Sequence, residues 1–183
     1  VEIYKVHHHG SSTSSNAAMV AGYRLIGYED RLLADRDFAD DTKDAGEIGA
    51  GHAVTALYEI VPVGVEVPAP EAARLKYTRP AATTGSSELM TINVRYKPPG
   101  QDTSLLSSYP VADAAPALAK TSDDFRWAVA IAGFGMLLRE SPERGTVTWP
   151  QITALAKGAV GDDREGYRRE ALAMIAVASK LKR

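Results

Sequence analysis

The chain has 183 residues, of which 45% are hydrophobic and 24% are charged, with a formal net charge of −2 and no cysteine. This composition is typical of a globular domain that is long enough to bury a core without disulfides or structural metals. It argues against nucleic-acid binding, which needs clustered basic residues, and the absence of cysteine excludes disulfides, thiolate catalysis and cysteine-ligated zinc.

The first half of the chain predicts β-strands. Residues 1–6 alternate and predict an edge strand, whereas residues 22–31 have apolar side chains on both faces and predict a buried strand. A long central strand is predicted over residues 52–67, with Pro62 marking a bulge or the end of pairing. Because the chain begins within a predicted strand, we expect it to be a fragment of a longer protein.

Residues 88–97 give the clearest strand pattern. Its residues alternate between an apolar face, formed by Met90, Ile92, Val94 and Tyr96, and a polar face, formed by Thr91, Asn93, Arg95 and Lys97. Such alternation predicts an antiparallel sheet with one solvated face. That polar face is one candidate surface for binding a partner.

Helical spacing begins at Ser122, whose side chain and two following aspartates are typical of a helix N-terminus. The hydrophobic residues then form two stripes, one of Phe125, Ala128, Val129, Ala132 and Met136 and one of Trp127, Ile131, Phe134 and Leu138. This pattern predicts a helix buried on most sides. The longest apolar run, residues 127–138, is shorter than the ~20 residues of a membrane span, so no span is predicted.

Two further helices are predicted after this one. Thr148 precedes a short helix, and Gly161 with its two following aspartates precedes the last. On the last helix, one predicted apolar side consists of Tyr167, Ala171, Met174, Ile175 and Ala178. Lysine and arginine residues at its end suit the negative end of the helix dipole.

Strands followed by helices predict an α+β fold, with an antiparallel β-sheet or sandwich in the first half and then a cluster of about three helices. Residues 1–19 are predicted to be an atypical N-terminal strand and polar loop. Residues 20–183 are predicted to be one domain, made of a β-rich part (20–110), a linker (111–121) and a helical part (122–183).

Three histidines in the stretch VHHHGSSTSSN, residues 6–16, are the first candidate metal ligands. The stretch resembles the HHHGS motif of ComEC-like metallo-β-lactamase-fold hydrolases, in which a histidine at the position of His8 or His9 ligates a metal ion. A catalytic zinc needs about three protein ligands, and the His-x-His-x-Asp-His motif that supplies them in that family is missing here. We therefore favour a polar loop, with native, tag-derived and chimeric origins all open; the remaining histidine, His52, has no catalytic partner that the sequence identifies.

An acidic segment, residues 35–47, is the second candidate. Asp37, Asp40, Asp41 and Asp44 supply the oxygen ligands that Ca²⁺ prefers. The spacing does not match an EF-hand loop, so a solvated acidic loop is the alternative. No catalytic residue and no cofactor are predicted anywhere in the chain.

Four blocks of the sequence carry a resemblance to a known domain: residues 23–64, 89–100, 122–141 and 166–181. They resemble, in order, the C-terminal domain of bacterial YfbK-type von Willebrand factor A proteins, so the similarity covers about residues 20–183. Where that family enters the domain through a V-x-I-x-V-x-F-N-P segment, this chain has KVHHHGSSTSSNAAM.

The resemblance implies an accessory unit beside an upstream A domain, in proteins of the cell envelope or periplasm. The Asp-x-Ser-x-Ser metal motif of A domains does not occur in these 183 residues. We hypothesise a non-enzymatic accessory or protein-interaction domain whose polar sheet face or acidic segment binds a protein partner, including the upstream A domain. The alternatives are a fragment of a metal-dependent hydrolase and a calcium-binding surface module.

Overall fold

The computed structural model describes residues 2–4, 11–15, 20–26, 40–42, 53–65, 88–113 and 116–182. These residues belong to two compact units, a strand unit that ends at residue 113 and a helical unit that starts at residue 116. Antiparallel strands in the first half are followed by three α-helices, which confirms the predicted α+β class.

The strand unit contains two three-stranded antiparallel sheets. Its described strands are β1 (Glu2–Tyr4), β2 (Ser11–Ser15), β3 (Val20–Leu25), β4 (Thr55–Pro62), β5 (Glu88–Tyr96) and β6 (Leu105–Ala112). The first sheet has the order β1-β4-β3 and the second the order β2-β5-β6. Strand β4 is shorter than the predicted strand over residues 52–67 and ends at Pro62, which is one of the two predicted alternatives, because proline has no N–H to continue the ladder.

Two strands lie where the sequence predicts none. Residues Ser11–Ser15, inside the predicted polar loop, form β2 and pair with β5 from Ser11–Val94 to Ser15–Met90. Strand β6 runs to Ala112 and so includes the start of the predicted linker 111–121, which also contains a 3-10 turn at Leu118–Lys120. Serine-rich sequences have weak strand propensity, and these strands form because β5 offers them backbone partners.

The core of the strand unit lies on the apolar face of β5. Met90, Ile92 and Val94 are buried there, as the alternation predicts. Ala56, Tyr58 and Ile60 of β4 and Val111 of β6 pack against them. Side chains of the first sheet therefore cover the apolar face of the second.

The described part of the helical unit has three α-helices: α1 (Asp123–Leu138), α2 (Trp149–Lys157) and α3 (Tyr167–Leu181). Ser122 caps α1 as predicted, since its Oγ accepts a hydrogen bond from the Phe125 N–H at 3.1 Å. At the start of α2, Gln151 Oε1 accepts hydrogen bonds from both the N–H and the hydroxyl of Thr148, at 2.9 and 2.8 Å. None of the described helices is long and apolar enough to cross a membrane.

A second core joins the three helices. Its buried members are Ala130, Leu137, Ile152, Ala156 and Ile175. The predicted stripes are wrong in part, because Ile131 and Leu138 on α1, and Tyr167 and Met174 on α3, are exposed. Each of the three described helices buries one side in this core, and these additional apolar residues remain at the surface.

Candidate functional site

Most of the predicted metal ligands lie outside the described residues: His8, His9, Asp37 and Asp44. His52, for which the sequence identifies no catalytic partner, also lies outside them. For these residues, the zinc and calcium hypotheses stay predictions. The described residues of the acidic segment are Asp40, Asp41 and Thr42. Within the described ranges, no three histidine or acidic side chains lie close enough to hold a metal ion.

Asp40 closes a tight local turn. Its Oδ1 accepts hydrogen bonds from the Thr42 N–H at 3.0 Å and from the Thr42 hydroxyl at 2.6 Å. An aspartate that bonds the backbone two residues ahead is a common device for fixing a turn. This contact orients the next residue, Asp41, towards the end of strand β5.

Asp41 anchors the acidic segment to the β5–β6 hairpin. Its Oδ2 accepts the Ser104 N–H at 3.2 Å, its Oδ1 is 3.8 Å from Arg95 Nη1, and its backbone carbonyl accepts from Lys97 Nζ at 2.6 Å. Hydrogen bonds from Ser104, with smaller contributions from Lys97 and Arg95, hold the pKa of Asp41 below its ordinary value. The carboxylate is therefore ionised at neutral pH and already faces two cations.

This geometry gives Asp41 a positioning role rather than a chemical one. A Ca²⁺ ion at Asp41 would have to approach against the charges of Arg95 and Lys97, and it would compete with the Ser104 N–H for Oδ2. Asp41 therefore contributes to holding residues 40–42 against Arg95, Lys97 and Ser104. The sequence contains no local signal of this contact, because Asp41 and Ser104 are 63 residues apart.

The polar face of β5 is engaged mainly with its neighbours. Ser108 donates a 2.7 Å hydrogen bond to Asn93 Oδ1, and Arg95 Nη1 donates one of 2.5 Å to Ser104 Oγ. Thr91 donates to Glu88 Oε2 at 3.0 Å. These bonds order the polar face that the sequence identifies as a candidate binding surface.

Strand β6 presents apolar side chains that the sequence analysis did not identify. Leu105 is 45% exposed, Leu106 is 52% exposed and Tyr109 is 55% exposed. Among the described strands, β6 pairs with β5 and lies at the edge of its sheet. We use the name β6 edge for the side of β6 that does not face β5, with the exposed side chains of Leu105, Leu106 and Tyr109.

In the helical unit, polar side chains mostly tie the helices together. The Asp163 carboxylate is buried and accepts the N–H groups of Arg168 and Arg169, at 3.1 and 3.0 Å, which caps the start of α3. Burial raises the pKa of Asp163, but these backbone bonds and the two arginine charges lower it more, so the net pKa is below the ordinary value.

Arg168 links α3 to the start of α1 and to the turn that follows α2. Its guanidinium donates to the carbonyls of Ala159 and Val160, at 3.1 and 3.4 Å, and pairs with Asp124 at the start of α1. It also lies over the ring of Trp127, 5.4 Å from the ring centroid. These contacts account for the position of Arg168.

A groove of about 440 Å³ is lined by residues of α2 and α3: Trp149, Pro150, Thr153, Ala154, Lys157 and Ser179. Its two hydroxyls already donate within their own helices, Thr153 to the Trp149 carbonyl and Ser179 to the Ala176 carbonyl. Among the described residues that line the groove, Lys157 is the only charged one. The described lining therefore supplies a cation without a carboxylate or a histidine beside it.

Comparisons with known proteins agree on one family. The family model described as "Uncharacterized protein YfbK, C-terminal" matches residues 14–181. The chain is 34% identical over 163 residues to the "Uncharacterized protein YfbK" of Escherichia coli strain K12. That match covers 89% of this chain but only 28% of the relative, and no solved structure matches the chain significantly.

Proposed function

The chain belongs to the family of YfbK C-terminal domains, and on that premise we propose that it is a non-enzymatic accessory domain that binds a protein partner. In this proposal the partner includes a von Willebrand factor A domain upstream in the parent protein, and the assembly resides in the cell envelope. The chain spans 28% of the length of its curated relative, which leaves ample sequence for such a domain.

The observation that carries the proposal is the exposure of the β6 edge. Large apolar side chains on an edge strand expose both non-polar surface and backbone hydrogen-bonding groups to solvent. Natural proteins usually protect such an edge with charges, and among the residues of β6 itself, Leu105 to Ala112, none is charged. An edge of this kind is suited to pairing with another polypeptide segment.

The mode of binding that fits best is the addition of an extended partner strand along β6. Backbone groups would supply the affinity, and Leu106 and Tyr109 would contact the partner's side chains. Pro110 has no N–H to donate, so it limits pairing on that side to the part of the strand before it. The partner segment is therefore expected to be short, extended and apolar.

The experiment measures binding between this domain and the A-domain part of the parent protein, produced separately, by isothermal titration calorimetry. We expect Leu106→Lys and Tyr109→Lys each to weaken binding by about tenfold or more, because each buries a charge in an apolar contact. Asp102→Lys, in the exposed turn before β6, is the matched control and should bind normally. Full affinity in both lysine variants would refute the β6 edge as the binding surface.

The non-enzymatic part of the proposal has its own test. Protein purified without a nickel column is analysed for metal and assayed for nuclease and esterase turnover, and His8→Ala and His9→Ala variants are compared. We expect no stoichiometric zinc and no turnover. Stoichiometric zinc that disappears in the histidine variants, together with hydrolysis, would support the metal-dependent hydrolase instead.

A further inference from the structure

Helix α3 has an exposed apolar stripe that packing within the helical unit leaves uncovered. Tyr167 is 71% exposed, Met174 58%, Val177 58% and Leu181 79%. The buried Ile175 lies on the other side of the same helix, facing α1 and α2. We call the four exposed side chains the α3 seam.

The α3 seam has the spacing of a helix that packs against another helix. With Glu170 included, its residues are 3, 4, 3 and 4 positions apart, which is the repeat of the a and d positions of a coiled coil. The residues beside the seam are small, since Ala171, Ala173 and Ala178 flank it. Small flanking residues let two helix backbones approach closely.

We propose that the α3 seam is a self-association surface, in which α3 of one copy packs antiparallel against α3 of a second copy. In a twofold-symmetric contact the same patch faces itself, so the two ends of the seam must be complementary. Glu170 near the start of α3 and Lys180 near its end meet that condition. Both are exposed, and neither has an ion-pair partner within the described part of the chain.

The antiparallel register follows from the positions of these charges. When Met174 of one copy lies beside Val177 of the other, Glu170 of each copy lies level with Leu181 of the other and within one residue of the neighbouring Lys180. Two reciprocal ion pairs then flank the apolar centre. A parallel arrangement would instead place Glu170 against Glu170 and Lys180 against Lys180, so the charge pattern favours the antiparallel one.

Two other described charges of this region, Arg169 and Lys182, are already paired within the chain. Arg169 lies 3.7 Å from the Asp163 carboxylate, and Lys182 Nζ is 2.6 Å from Glu140 Oε1. Hydrogen bonding and charge from Lys182 hold the pKa of Glu140 below its ordinary value, so this carboxylate is ionised at neutral pH. These intrachain pairs reduce the repulsion that Arg169 and Lys182 would otherwise exert on a second copy.

The dimer is expected to be weak. The seam extends along one helix of about 20 Å, so it buries less surface than a standard stable interface. We expect a dissociation constant of ~0.1 mM. Clustering of the parent protein would raise its local concentration above this value. Sedimentation equilibrium on the whole chain, over concentrations from ~0.01 to ~1 mM, measures it.

Charge reversal provides the decisive experiment. Glu170→Lys alone and Lys180→Glu alone should each weaken self-association about tenfold, since every ion pair becomes a repulsion. An equimolar mixture of these two variants should recover association. In the mixed dimer, one copy has lysine at both positions 170 and 180 and the other has glutamate at both, so both ion pairs form again. Asp102→Lys, in the strand unit, is the charge control and should self-associate normally.

A second pair of variants tests the apolar centre. Met174→Glu places a charge in the seam and should abolish self-association, whereas Ala176→Glu, exposed on another side of α3, should leave it unchanged. Circular dichroism confirms that both variants are folded. A monomer at every concentration, or an equimolar mixture that associates no better than either charge variant alone, would overturn the proposal, whatever the outcome for the β6 edge.

Discussion

Replacing Gly133 with alanine tests how closely helices α1 and α2 pack. Gly133 is buried on α1 and faces Ile152 of α2. A Cβ atom at position 133 would lie well inside the van der Waals distance of Ile152 Cδ1, 3.1 Å from its Cγ1 and 3.6 Å from Val147 Cγ1. Ile152 is only 4% exposed, so it has little room to move away.

Two opposing effects set the magnitude. Alanine is favoured over glycine inside a helix by about 1 kcal/mol, which stabilises the variant. Forcing an extra carbon into a packed core costs about 1–3 kcal/mol. The free energy of unfolding of Gly133→Ala should therefore fall by up to about 2 kcal/mol, with the packing cost partly offset by helix propensity.

Gly135→Ala, on the same helix, is the matched control. A Cβ atom at Gly135 would meet nothing within 4 Å, so only the propensity effect operates and the variant should be more stable by up to about 1 kcal/mol. The difference between the two variants isolates the packing cost. A third variant, Ile152→Val, removes the clashing Cδ1 and should cost less in the Gly133→Ala background than in the original protein.

Tryptophan fluorescence during urea unfolding measures these free energies. Both tryptophans, Trp127 and Trp149, lie in the helical unit, so the signal reports on that unit without assuming that the whole chain unfolds in one step. Equal stability of Gly133→Ala and Gly135→Ala would refute the close α1–α2 approach described above.

Three further predictions concern ionised side chains. Asp163→Asn should lower the melting temperature of the helical unit, whereas Asp162→Asn should not. Because the folded-state pKa of Asp163 is lowered, its contribution to stability is present above the unfolded-state pKa and is lost as the pH falls through the folded-state pKa. An acid titration of both variants would show this difference. Arg168→Lys should lower the free energy of unfolding of the helical unit by about 1–2 kcal/mol in the same fluorescence assay, because lysine cannot form the several hydrogen bonds of the guanidinium. An unchanged urea midpoint would contradict the linking role of Arg168. Asp41→Ala should accelerate hydrogen exchange of the Ser104 amide at neutral pH, because this amide loses its acceptor. Millimolar calcium should leave the melting temperature of the original protein unchanged. A calcium-dependent rise in the melting temperature would instead support a cation site in the acidic segment.

Several features of the fold could be predicted from local sequence because their physical causes are local. The two-residue alternation of β5 correctly places Met90, Ile92 and Val94 in the core. Ser122 before two acidic residues correctly predicts the start of α1, and Pro62 correctly predicts the end of β4. In each case one short stretch contains the hydrogen-bonding or periodic signal that determines the structure.

The candidate surfaces could not be predicted in this way. Whether an apolar residue of α3 is buried depends on which elements pack against that helix. Periodicity alone placed Tyr167 and Met174 on the same side as Ile175, but in the structure these two residues are exposed and Ile175 is buried. Likewise, β2 and β6 have sequences with weak strand signals and exist through pairing with β5.

By itself, the sequence determined strands β4 and β5, the three helices that follow, the caps of α1 and α2 and the family of the chain, since these depend on neighbouring residues or on the linear pattern as a whole. Only the tertiary structure decided that Asp41 is held by Ser104, that Gly133 faces Ile152, and that the β6 edge and the α3 seam face solvent. These are contacts between distant residues, and burial is a property of the packed assembly of elements rather than of any one of them.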